Sequence, residues 1–143
     1  MLYRLNYEIL KAYRSKYEVC THICISADCH LRRGVALQIR EMFGRVSEIE
    51  RQRKGVGEVA VLDVGPRYVY HLVTKRYYYH RPSLSAVAAC LLNLKRHMHE
   101  NHVSELAVPL LASGLDRLYW PDIERLLSIT FQHSGVTIYI YTL

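Results

Sequence analysis

The run from Tyr17 to Ser26 (YEVCTHICIS) constrains the fold more than any other segment. It is rich in β-branched residues, almost uncharged and without helical period, the pattern of a strand covered on both faces. Such a strand belongs in the middle of a sheet, with a layer on each side. The rest of the chain supplies those layers. After the turn-like Ala27-Asp28-Cys29, Gly34 opens VALQIREMF, where Val35, Leu37, Ile39, Met42 and Phe43 gather on one side of a helix that Gly44 ends. A short helix is expected near 45–53. The apolar runs 58–64 and 68–74 flank the turn signal Gly65-Pro66 and read as an antiparallel hairpin. Ser83 is placed to cap a helix carrying Leu84, Val87, Ala88, Leu91, Leu92 and Lys95 at three-and-four spacing, ending near His99. A buried strand follows at Leu106 to Leu111, with Pro109 near its exit, where a lost ladder bond matters least. Pro121 and Asp122 begin a last helix, and Val136 to Thr142 closes the chain as a strand. Alternating strands and helices predict an α/β fold with helices on both faces of a mixed sheet.

The 143 residues are enough for one domain with a real core, and the whole chain, 1–143, is expected to form it. With 50% hydrophobic and 22% charged residues, the composition is that of a globular protein rather than a disordered one. Arg4, Asn6 and Glu8 interrupt the apolar residues of the N-terminus, so it lacks the core of a secretory signal. No run approaches the roughly 20 apolar residues of a membrane helix. Four cysteines without a secretory signal point to reduced thiols, hence to the nucleus or cytoplasm. The 19 Lys and Arg against 13 Asp and Glu leave a net charge of +6, which favours anionic partners. The charge is dispersed in small clusters, which also fits an ordinary solvated surface.

Ligands of open α/β sheets bind at the carboxyl ends of strands, which directs attention to three loops. In the first, Ser26-Ala27-Asp28-Cys29 leads to Arg32-Arg33-Gly34-Val35-Ala36 at a helix start, where free N–H groups can hold a phosphate. An ordinary strand-to-helix turn would look similar. The second is Thr74-Lys75-Arg76, where a lysine at the end of an apolar strand would lose solvation and become available as a nucleophile; surface charge is the plain alternative. Tyr77, Tyr78 and Tyr79 follow it directly, suited to stacking on a base, to closing as a lid over a sugar or an adenine, or to packing the loop on the domain. The third is Ser113-Gly114-Leu115-Asp116, where Gly114 permits close backbone approach and Asp116 supplies a carboxylate, unless that carboxylate serves only a turn. Cys20, His22, Cys24, Cys29 and His30 do not have the knuckle spacing of structural zinc, and no metal is expected there or at His97, His99 and His102.

These three loops, together with Cys24-Ile25-Ser26, Gly57-Glu58-Val59-Ala60-Val61-Leu62, His80, Pro82, Gly114-Leu115-Asp116-Arg117-Leu118, Trp120 and Tyr141-Thr142-Leu143, resemble the terminal ADP-ribose protein glycohydrolase branch of the macro domains. The similarity runs from Tyr7 to Leu143. It implies a three-layer α/β/α sandwich with a cleft for ADP-ribose and no cofactor. It also implies Lys75 as the nucleophile that forms a lysyl adduct with the distal ribose, and Asp116 as the acid/base group. Ser26, Asp28, Arg32, Arg33, Gly34, Val35, Ala36, His80, Ala112, Ser113, Gly114 and Leu115 would line the ligand. The implied partner is ADP-ribose or an ADP-ribosylated protein, modified on an acidic side chain, with O-acetyl-ADP-ribose as a related substrate. The basic surface is also compatible with nucleic-acid-linked ADP-ribose. A monomer without membrane contact is expected.

The chain departs from this family in two places. Where the family has Gly-Asp to read the adenine amine, this chain has Leu10-Lys11, and a lysine cannot accept that hydrogen bond. Where the family has Gly-Ala-Gly, it has Arg32-Arg33-Gly34. The guanidinium groups either attract the diphosphate or fill its cleft. The second outcome would leave a non-catalytic macro module that reads ADP-ribose weakly or serves as an interaction domain.

Overall fold

The computed structural model describes residues 2–6, 20–29, 37, 40–41, 44–65, 67–109 and 118–142. Six strands and three helices of these residues follow in the order β1 (Leu2–Asn6), β2 (Cys20–Ser26), α1 (Val46–Arg51), β3 (Val59–Asp63), β4 (Tyr68–Lys75), α2 (Leu84–Glu100), β5 (Glu105–Pro109), α3 (Trp120–Phe131) and β6 (Thr137–Thr142). Leu37, Arg40 and Glu41 are also helical, and the Gly44 N–H bonds the Arg40 carbonyl at 2.7 Å with Gly44 at φ +62°. A left-handed glycine ends that helix, as its position suggested.

The strands form one mixed sheet in the order β1-β6-β5-β2-β4-β3. All neighbours are parallel except β3 and β4, whose hairpin pairs Val59 with Leu72 and Asp63 with Tyr68. Its turn is closed by the Val64 N–H to the Arg67 carbonyl, at 3.1 Å, and by the Gly65 N–H to the Asp63 carboxylate, at 3.0 Å. β2 lies between β5 and β4, the central place its unbroken apolar pattern required.

Two hydrophobic clusters lie on opposite faces of the sheet. On one, Tyr70, Leu72, Leu106, Val108, Ile138 and Ile140 meet Val87, Leu91, Leu94 and Met98 of α2, and Ile123, Leu127 and Phe131 of α3. On the other, Ile25, Ala60, Leu62, Val69 and Val73 meet Ile49 of α1. The alternation of Val59 and Val61 with Ala60 and Leu62 divides β3 between the two clusters, as period-two geometry demands. The result is the expected three-layer α/β/α sandwich. Helix α2 starts where the sequence placed it, with the Ser83 hydroxyl accepting from the Ala86 N–H at 3.1 Å. Pro121 sits in the first turn of α3, where its missing N–H has no helical partner to lose. The N-terminal strand β1 has no comparable signal in its own residues. It is defined by parallel pairing of Leu2–Asn6 with Ile138–Thr142 at the sheet edge.

Candidate functional site

Three strands bring the candidate loops to one edge of the sheet. β4 and β5 flank β2 and run parallel to it, so the three strands end, at Ser26, Lys75 and Pro109, towards the same side. β5 pairs with the start of β2, Leu106 opposite Cys20 and Ala107 opposite Thr21. Ser26 and Lys75 end level with each other. Residues 110–117 and 30–36 lie outside the described residues, and with them Arg32, Arg33, Gly34, Val35, Ala36, Ala112, Ser113, Gly114, Leu115 and Asp116. Leu10-Lys11 lies outside as well. Ser26, Asp28, Lys75 and His80 are described.

Lys75 ends a strand whose interior is buried from Val69 through Thr74, and is itself half-buried. Between Ile25 and Ser26 the pairing with β4 jumps from Val73 to Lys75, which leaves Thr74 as an extra residue on β4. Such a bulge breaks the alternation of faces and re-aims the next side chain. The Lys75 carbonyl accepts the Ala27 N–H at 2.9 Å, so the two strand ends stay fastened beyond the bulge.

Asp28 connects the first two loops. One carboxylate oxygen accepts from the Ser26 hydroxyl, and the other accepts the Tyr78 N–H at 3.2 Å. Ser26 is buried to 2% exposure while Asp28 is exposed, so the pair runs from the sheet edge outwards to the loop after β4. Asp28 was expected to touch ligand, and among the described residues its visible work is to hold these loops together. Cys29 closes the turn with its N–H on the Ser26 carbonyl at 3.0 Å and φ +55°. Burial, then the carboxylates of Glu50 and Asp28, push its thiol above the ordinary value. A thiol kept protonated in this way is a poor nucleophile.

The loop after Lys75 is aromatic and exposed. Tyr77 and Tyr79 stack with parallel rings, and His80 sets its ring edgewise against both. His80 also closes a turn through its N–H to the Tyr77 carbonyl at 3.0 Å. The Asp28 clamp and the Thr74 bulge escaped sequence reasoning. Ser-x-Asp at the end of a strand was the available signal for the clamp, whereas a bulge leaves no mark in composition.

The macro-domain family model matches residues 25–127. The chain is 38% identical over 120 residues to the ADP-ribose glycohydrolase OARD1 of Homo sapiens, covering 84% of this chain and 79% of that one. It is 29% identical over 119 residues to a DNA ADP-ribosyl glycohydrolase of Thermus aquaticus, covering 76% of this chain and 33% of that protein. Among solved structures, the macrodomain of Thermus aquaticus DarG superposes with a TM-score of 0.82 at 25% identity, covering 99% of this chain and 97% of that one.

Proposed function

The chain belongs to the macro-domain family, and on that premise we propose that it is an ADP-ribosyl hydrolase with Lys75 as nucleophile and Asp116 as acid/base group. One observation carries the reading. Lys75 closes a buried parallel strand at the edge where β2, β4 and β5 release their loops, level with Ser26 and beside the Asp28 clamp. Two relatives at that level of similarity are named as hydrolases of ADP-ribosyl linkages, which supports catalysis over a purely binding role.

In this reading the neutral amine of Lys75 donates its electron pair to the anomeric carbon of the distal ribose. The bond from that carbon to the acceptor's carboxylate oxygen breaks, and the carboxylate leaves with the bonding pair. Asp116 takes the proton released by the attacking nitrogen and returns protons as water resolves the lysyl adduct. Ser26, Arg32, Arg33, Gly34, Val35 and Ala36 are assigned to the diphosphate side, and Ala112, Ser113, Gly114 and Leu115 to the ribose side. His80 is assigned to the rim. The acceptor proposed first is an acidic side chain of a protein.

The test is hydrolysis of a peptide carrying ADP-ribosylated glutamate, with borohydride reduction to trap the adduct through the imine that forms when its sugar ring opens. Wild type is expected to turn over the peptide and gain the mass of reduced ADP-ribose at Lys75. Turnover that persists in Lys75→Ala would overturn the lysyl mechanism. Calorimetric titration with ADP-ribose reports on the arginines. Heat of binding places Arg32 and Arg33 on the side of attraction, and its absence together with absent turnover identifies the non-catalytic module.

A further inference from the structure

Three tyrosines follow Lys75 by way of Arg76 and remain on the surface, Tyr77 37% exposed, Tyr78 46% and Tyr79 69%. Large aromatic rings clustered in the open are uncommon on a protein that has a core to receive them, and such patches mark places of contact. These rings are ordered among themselves. Tyr77 and Tyr79 stack with centroids 5.6 Å apart and planes 2° from parallel. His80 lies edge-on to Tyr77 at 5.1 Å and to Tyr79 at 4.8 Å, and Tyr78 edge-on to Tyr79 at 5.4 Å. The Arg76 guanidinium stands 5.4 Å from the Tyr77 centroid. The backbone beneath is tied down by the His80 N–H on Tyr77 and by the Tyr78 N–H on Asp28. A stack held in this way needs little ordering when a ligand arrives.

We propose that Tyr77 and Tyr79 form a base-stacking platform for a single-stranded nucleic acid, the strand that carries the ADP-ribose to be removed. The proposal rests on the assignment of Lys75 as nucleophile, because that assignment fixes which end of the substrate lies nearby. Lys75 acts at the anomeric carbon where the acceptor is joined, whereas the adenine lies at the far end of ADP-ribose, beyond the diphosphate. A ring platform that begins two residues after Lys75 therefore meets the acceptor. Its surroundings select the kind of acceptor. Arg76 and Arg81 flank the tyrosines, both exposed, on a chain of net charge +6, and cationic grooves lined with aromatic side chains are the usual means of holding a single strand. An acidic peptide would satisfy the arginines but has no ring to extend the stack. The 69% exposure left to Tyr79 after its own contacts is surface that a base can cover.

The experiment pairs two measurements on the full chain. Fluorescence anisotropy follows binding of a labelled oligothymidylate of about a dozen nucleotides, long enough for one binding surface. Kinetics compare an ADP-ribosylated oligonucleotide with an ADP-ribosylated glutamate peptide. Tyr77→Ala and Tyr79→Ala are expected to weaken oligonucleotide binding, and kcat/KM on the modified oligonucleotide, by about tenfold. Tyr79→Phe should retain both, since stacking needs the ring and not the hydroxyl, and kcat/KM on the peptide should stay unchanged in all three. Equal losses on oligonucleotide and peptide would overturn the proposal in favour of a lid over the ribose. Equally fatal would be wild-type protein that does not bind the oligonucleotide, or alanine variants that bind it as well as wild type. Binding that depends on the tyrosines without turnover of either substrate would uphold the platform and overturn the hydrolase reading instead.

Discussion

Tyr70 and Tyr79 belong to one continuous stretch of chain, β4 and the loop that leaves it, and they are used in opposite ways. Tyr70 is fully buried, stacked edgewise on His97 with its hydroxyl 3.0 Å from that ring's Nδ1. Tyr79 has 69% of its surface exposed and rests on other loop aromatics. The histidines repeat the contrast, His71 buried to 1% exposure and His80 on the surface. Lys75 and the bulge at Thr74 mark the boundary between the two regimes. Aromatic content before the boundary contributes to stability through burial. After it, the same residue types contribute almost nothing to the core and stay available to a ligand.

The sharpest way to break this division is at the boundary itself. Lys75→Ala should lower turnover by three orders of magnitude or more, the scale seen when a covalent nucleophile is removed, and leave the thermal midpoint unchanged. A parallel fall in stability would make Lys75 a structural residue. Next in size, Tyr70→Ala should cost about 4 kcal/mol in urea unfolding, the range for truncating a large aromatic in a packed core. Tyr79→Ala should stay within about 0.5 kcal/mol of wild type. Comparable losses at the two positions would erase the distinction between strand and loop.

His71 offers a third test, through pH. Burial holds its imidazole down at about 4, against 6.5 in the unfolded chain, with the Ala60 and Val69 carbonyls only partly opposing the effect. Its Nδ1 has no hydrogen-bond partner among the described residues. Below the unfolded value the unfolded state binds the proton first. The associated stability is thus fully present above 6.5 and is lost as pH falls towards 4, reaching about 2 kcal/mol of loss by about pH 5. His71→Leu should remove that component, seen as a smaller change in urea midpoint between about pH 7 and about pH 5. An unchanged pH dependence would refute the assignment. A smaller loss than at Tyr70, about 1 kcal/mol, is expected of Ser83→Ala through the α2 cap, measurable in the same unfolding assay and without effect on turnover.

The elements whose faces repeat regularly were legible from the sequence. Helix α2 could be read because Val87 and Leu91 recur at helical spacing behind a capping serine, although Leu84 and Leu92, read on the same face, are exposed and Leu94 is buried instead; β2 could be read because an uncharged β-branched run fits only a covered strand. The hairpin was legible from Gly65-Pro66 between two apolar runs. Strand β1 was not, since Arg4 and Asn6 interrupt its pattern and it pairs with β6 alone among the described strands. At the candidate site, residue types marked Lys75, Ser26, Asp28 and His80. Their spatial relation was beyond reach, because it depends on which strands lie side by side.

By itself, then, the sequence determined the class of fold, the order of the elements that follow β1 and the residues able to perform chemistry, since these follow from local spacing and side-chain type. Tertiary structure alone decided that β2 lies between β5 and β4, that the pairing of β2 with β4 skips Thr74 just before Lys75, and that Asp28 reaches across to Tyr78. The physical reason is common to all three. Strand order, register and cross-loop hydrogen bonds are pairings between distant segments, and their free energy exists only once the whole sheet has formed.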